Sequence, residues 1–124
     1  MISQAPPWPA ALGQSVQAID TPALVIDLDA MERNLARMAA FAREHGLRLR
    51  PHAKMHKCAA LAQQQIAAGA VGVCVQKTAE AQVLAGRGID DIYISNQVIA
   101  PDKLARVARL AQQLHARSGQ LALA

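Results

Sequence analysis

Four polar side chains, Arg48, Arg50, His52 and Lys54, recur at every second position of the stretch Leu47 to Lys54. An extended backbone sets these on one face and Leu47, Leu49, Pro51 and Ala53 on the other. The apolar set can pack beneath helices. The polar set must meet water, a solvent-filled mouth or a ligand. Lys54 then stands at the C-terminal end of the strand, the end at which parallel α/β architectures bind ligands. A neutral lysine amine can form a Schiff base with an aldehyde such as that of pyridoxal phosphate. Neighbouring cations favour the neutral amine, and Arg50 and Lys57 are the candidates for that effect.

Composition alone makes Lys54 one more solvated lysine, since lysines are rarely buried. His52 and His56 offer another reading, an i, i+4 metal pair on a helix. Pro51 opposes it, because a proline disfavours helix through the residues beside it. Cys58 and Cys74 are the only cysteines and lack the spacing of a metal or redox pair. They read as buried free thiols.

The elements that must position these residues alternate along the chain. Residues 1–20 hold Pro6, Pro7, Pro9 and Gly13 and read as an irregular arm. Ala23–Ile26 reads as a short buried strand. Asp29, followed by Glu32, reads as the cap of a helix that carries Met31, Leu35, Met38 and Phe41 at helical spacing and ends near His45-Gly46. Leu47 to Pro51 reads as a strand, Cys58 to Ala68 as a helix, and Val71 to Val75 as a strand. Thr78 to Ala85 reads as a helix stopped by Gly86 and Gly88. Asp91 to Ser95 reads as a strand, Pro101 to about Ala116 as a helix closed by Gly119, and Gln120 to Ala124 as a further strand. Pro101 suits a first helical position. Leu104, Val107, Leu110, Ala111 and Leu114 share one face of that helix.

Repeated strand–helix units predict a parallel sheet with right-handed crossovers. Four such strands from Leu47 onward make half of a (βα)8 barrel, which needs roughly 250 residues. The sequence has 124, so an incomplete TIM-type barrel is expected, with a small open doubly wound sheet as the alternative. The expected organisation is an arm over 1–20, a strand and helix leading into the barrel over 21–46, and the first βα units over 47–124.

The chain is 52% hydrophobic and 18% charged, with a net charge of +4, which is the balance of a globular protein. Its basic residues form no run interleaved with aromatics, so nucleic acid is not an expected partner. No stretch reaches the roughly 20 apolar residues of a membrane span, and no secretory leader is apparent. A cytoplasmic setting is expected.

Arg50-Pro51-His52-Ala53-Lys54-Met55-His56-Lys57 resembles the RPHxKxHK signature of the D-threonine aldolase and D-serine dehydratase family, fold-type III pyridoxal-phosphate enzymes related to the alanine racemase N-terminal domain. Three further stretches resemble family segments in the same order. Asp20 to Asp27 resembles DTPxLVxD, Val75 to Ala81 resembles CQKxxEA, and Ile92 to Val98 resembles DIxISNxV, with Gln97 where glutamate is commoner.

The resemblance implies that Lys54 is the cofactor lysine of a lyase acting on β-hydroxy-D-amino acids. It would act by retro-aldol cleavage to glycine and an aldehyde, or by elimination of water. It also implies a divalent metal of the Mn, Mg or Zn type and a homodimer in the full-length enzymes. The family's metal ligands and phosphate loops have no counterpart in this sequence, so the isolated chain is expected to bind cofactor poorly and to lack useful activity. His52 and Arg50 are candidates for ordering the lysine or the cofactor ring. Gln76 and Asn96, at the ends of their strands, are candidate cofactor neighbours. Glu80 is read as a support for the first turn of its helix, and His45 and His115 as solvated helix-end residues. The alternatives are a non-catalytic pyridoxal-phosphate-binding barrel or an inactive truncated chain.

Overall fold

The computed structural model describes residues 10–124. Pro6, Pro7, Trp8 and Pro9 of the expected arm lie outside the described residues. The part that is described is exposed and holds one short 3-10 turn, Val16–Ala18.

Helix α1 spans Leu28–Glu44. Its cap is Asp27, whose carboxylate accepts from the Ala30 amide at 2.9 Å. Asp29, the expected cap, instead lies in the first turn, where its charge suits the helix dipole. The helix ends as the His45-Gly46 pair predicts, with Gly46 left-handed at φ 63°. The expected strand Ala23–Ile26 does not form. The segment is exposed and unpaired among the described residues. An apolar run becomes a strand only where another strand offers it amides and carbonyls, and no strand lies alongside this one. Val25 and Ile26 line a groove of about 640 Å³ with Met31, Leu35 and Met38 of α1 and with Leu49 and Pro51.

The remaining elements alternate: α2 Ala59–Ala67, β1 Val73–Val75, α3 Thr78–Gly86, β2 Asp91–Ile94, α4 Pro101–His115 and β3 Gln120–Leu123. The three strands are parallel in the order β1-β2-β3. Residues 49–53 extend the ladder beyond β1. The Val71 amide donates to Leu49 O (2.9 Å), Cys74 to Pro51 O (2.8 Å) and Ala53 to Cys74 O (2.7 Å). These bonds advance by two residues on one side, Leu49 to Pro51, and by three on the other, Val71 to Cys74. One extra residue is therefore taken up near Gly72, and the expected strand Leu47 to Pro51 survives as ladder pairing rather than as a regular strand. Four parallel neighbours with helices on one side make a sector of a TIM-type barrel.

The core lies between sheet and helices. Val73, Val75, Ile92, Ile94 and Leu114 are fully buried, and Leu84, Ile89 and Leu110 join them. Burying each of the larger side chains is worth about 2 kcal/mol. Along α4, Leu110 and Leu114 are buried and Val107 packs against the cluster, while Leu104 at the far end is exposed. The left-handed residue after α4 is Ser118, at φ 62°, rather than Gly119. Gly119 is needed for another reason: a Cβ there would stand 3.0 Å from Asp90 Cβ and 3.1 Å from the Leu114 carbonyl. Among the described residues no helix is long and apolar enough to cross a membrane.

Candidate active site

Side chains of one strand alternate between faces, so the sheet's two sides follow from its register. Val73 pairs with Ile92 and Val75 with Ile94, and all four point into the helix-covered core. Cys74 and its partner Tyr93 therefore face the other way. His52 bridges to Cys74 and shares that second face. Ser95, two residues after Tyr93, joins it. No helix of the described residues covers this side, and Arg50, His52, Tyr93 and Ser95 are half-buried there.

At the N-terminal end of the strands, Arg50 forms an ion pair with Asp91. Gln120 Nε2 donates to the second oxygen of the same carboxylate at 2.6 Å. Gly72 leaves room for this group, since a Cβ there would stand 2.7 Å from Arg50 Nη1 and 2.7 Å from Asp91 Cβ. Arg50 is thus engaged at the end of the sheet away from Lys54.

At the C-terminal end the chain leaves the ladder through a turn closed by the Lys57 amide on Ala53 O (2.8 Å), with Lys57 left-handed at φ 49°. Lys54 lies in this turn and is exposed. Its own amide donates to His52 Nδ1 at 3.2 Å. His56 repeats the device: the Cys58 amide donates to His56 Nδ1 at 3.0 Å. A ring nitrogen that accepts carries no proton, so in each neutral imidazole the N–H is at Nε2. For His52 that nitrogen lies 3.3 Å from Ser95 Oγ. Neither histidine is helical, which removes the metal-pair reading.

Burial holds the His56 ring below the ordinary histidine pKa, opposed in part by the Gln65 side chain. His56 Nε2 and Gln65 Oε1 are both buried without meeting in hydrogen-bonding geometry. Gln65 is therefore close enough to act on the ring electrostatically but not aligned to bond it.

Lys57, expected to act on Lys54, is instead paired with Glu80. Glu80 also accepts from the amides of Gln76 (2.9 Å) and Lys77 (3.1 Å). Partial burial would raise the Glu80 pKa. The Lys57 hydrogen bond, the two amides and the Lys57 charge outweigh it and hold the carboxyl below 4.5. Glu80 thus supports the first turn of α3, as its position suggests, and also ties that turn to the lysine turn. With Arg50 and Lys57 both neutralised, neither cation stands free beside Lys54. Lys54 itself has no carboxylate partner among the described residues.

Gln76 and Asn96 are half-buried and line a cleft of about 310 Å³ with Lys77, Thr78, Gln97, Lys103 and Arg106. The lining of this cleft does not include Lys54. His45 and His115 are exposed, and His45 stacks on Phe41. Cys74 is buried and Cys58 half-buried, both as free thiols. No group of three or more His, Cys, Asp or Glu is placed to hold a metal among the described residues. Sequence reading gave Ser95 no role, although it lies in the stretch Ile92 to Val98 that resembles DIxISNxV.

Residues 26–120 match the family described as alanine racemase, N-terminal domain. A D-threonine aldolase of Arthrobacter sp is 49% identical over 106 residues, which are 86% of this chain and 28% of that protein. A D-threo-3-hydroxyaspartate dehydratase of Delftia sp. (strain HT23) is 42% identical over 95 residues, 77% of this chain and 25% of that one. The crystal structure of D-threonine aldolase from Filomicrobium marinum superposes with a TM-score of 0.85 at 49% identity, covering 93% of this chain and 30% of its own. The chain thus spans under a third of the length of the relatives it matches.

Proposed function

This chain belongs to the alanine racemase N-terminal domain family, and from that premise we propose that it supplies the cofactor-lysine sector of a pyridoxal-phosphate-dependent lyase. The substrate would be a β-hydroxy-D-amino acid and the reaction either retro-aldol cleavage of the D-threonine aldolase type or elimination of water of the dehydratase type. The carrying observation is Lys54, an exposed amine without a carboxylate partner among the described residues, at the C-terminal end of a parallel ladder.

The residues present fit the cofactor. The amine is exposed and makes no ion pair among the described residues, and on the sheet face below it the short Cys74 side chain leaves His52 and Ser95 as the nearest polar groups. Lys54 would hold the group, with His52 beneath it and Gln76 and Asn96 toward the mouth. When bound, pyridoxal phosphate supplies an aldehyde for the amine and a ring that withdraws electrons from the substrate.

The chain's own residues orient and hold. His52 receives the Lys54 amide and so fixes the backbone from which the amine projects. Glu80 keeps Lys57 engaged, leaving Lys54 as the free lysine of the turn. Arg50, bound to Asp91, braces the opposite end of the sheet rather than the lysine. A divalent metal, if the whole enzyme uses one, would draw its ligands from outside the described residues.

Incubation with pyridoxal phosphate, borohydride reduction and peptide mapping tests the reading. A reduced adduct on Lys54 that disappears in Lys54→Ala supports it. Label spread over Lys57, Lys77 and Lys103 with none favouring Lys54 overturns it.

A further inference from the structure

We propose that Ser95 is a positioning residue for Lys54, acting through the His52 ring across the intervening strand. The inference deepens the reading of Lys54 as the cofactor lysine and rests on it for its functional meaning, though the device itself is a property of the free chain.

The hydrogen bonds run in one direction. The Lys54 amide donates to His52 Nδ1 (3.2 Å), which requires that nitrogen to be unprotonated. The ring proton therefore sits on Nε2 and points at Ser95 Oγ, 3.3 Å away. The hydroxyl proton of Ser95 is committed in turn to the Val75 carbonyl (3.3 Å), where the Ser95 amide also donates (2.9 Å). Each member is left with one available role, and the chain ends on a strand carbonyl next to the core.

The path crosses Cys74, which pairs with His52 on one side and with Tyr93 on the other. A short side chain there lets the imidazole reach over the strand; a larger one would stand between the ring and the hydroxyl. His52 and Ser95 are 43 residues apart in sequence, so the contact ties the lysine turn to the end of β2, an element that the turn's backbone does not touch. Without Ser95 the imidazole loses one of the two contacts that favour the Nε2–H tautomer and keeps only the Lys54 amide. The other tautomer carries its proton on Nδ1 and cannot accept the Lys54 amide. Ser95 thereby reinforces the proton position that holds the lysine's backbone.

The test uses the 124-residue chain without added cofactor. Long-range nitrogen–proton NMR reads the His52 tautomer, and amide exchange reads Lys54. The parent should show a single Nε2–H tautomer and a protected Lys54 amide. Ser95→Ala should mix the tautomers and speed Lys54 exchange about fivefold, as expected for one lost hydrogen bond, while the Ile92 and Ile94 amides keep their protection. Ser95→Thr, which retains the hydroxyl, should restore the parent values, and Ser95→Cys should fall between. Unchanged Lys54 exchange in Ser95→Ala, or in Ser95→Cys should the alanine variant not fold, overturns the proposal. Borohydride labelling of the parent is read separately. If Lys54 is not labelled, the cofactor reading falls, whatever Ser95 does to the amide.

Discussion

Lys57 and Glu80 join the turn that carries Lys54 to the first turn of α3, and the same carboxylate holds the amides of Gln76 and Lys77. One side chain therefore organises two loops at the C-terminal end of the sheet. Replacing Glu80 by Ala leaves both amides without their acceptor. The expected cost is about 1.5 kcal/mol in chemical denaturation, with most of it arising from the amides rather than from the exposed Lys57 partner. Lys57→Ala should cost clearly less, and an equal loss in the two variants would contradict this division.

The chain's stability should fall with acid in two stages. His56 is held below 6.5 by burial and Glu80 below 4.5 by its partners. In both cases the unfolded chain takes up protons first, so stability rises with pH through each range. As pH falls from about 6.5, His56 should begin to lower the melting temperature. Below about 4.5, Glu80 adds its own loss. His56→Asn should flatten the upper stage and Glu80→Gln the lower one, in melts taken across pH 3 to 8.

Gly72 cannot carry a side chain without displacing the β2 backbone, because a Cβ would meet the Asp91 carbonyl oxygen first and would stand 2.7 Å from Arg50 Nη1 and from Asp91 Cβ. Gly72→Ala should destabilise the fold by about 2 kcal/mol. Arg50→Ala removes only the guanidinium contact and leaves the Asp91 carbonyl in the way, so the double variant should recover only a small part of that penalty. Full recovery would place the clash on Arg50 alone.

Leu114 is fully exposed to the core and not to water, at 0% accessibility. Leu114→Ala should cost about 3 kcal/mol. Phe41, half-exposed on α1 and stacked on His45, should cost well under that on truncation despite its larger ring. Urea unfolding of the two variants ranks them directly.

Lys54→Ala should leave stability within about 0.5 kcal/mol of the parent, since the side chain is exposed and makes no ion pair among the described residues. It should abolish the borohydride-stable adduct at that peptide. A variant that unfolds more easily would give Lys54 a structural role that the geometry does not.

Much of the architecture is written in local pattern. The helical spacing of Met31, Leu35, Met38 and Phe41 marks α1, and Pro101 and the Leu110–Leu114 face mark α4. The alternation of Arg50, His52 and the apolar residues between them places His52 on the open face of the sheet. What escaped depends on partners far away in sequence. Ala23–Ile26 has the composition of a strand but no neighbour to pair with among the described residues. Arg50 and Lys57 read as free cations until Asp91 and Glu80 are brought to them. Ser95 carries no periodic signal at all, and only the register that sets β2 beside β1 brings its hydroxyl to His52.

The sheet has one dry side, built from Val73, Val75, Ile92 and Ile94 against helices, and one wet side, built from Arg50, His52, Tyr93 and Ser95. Folding draws on the first and chemistry would draw on the second. Outside Gly72 and the Arg50–Asp91 pair, which brace the sheet, selection can therefore rewrite the reactive surface while leaving the buried apolar residues untouched, so a single inherited scaffold can diverge in substrate or reaction.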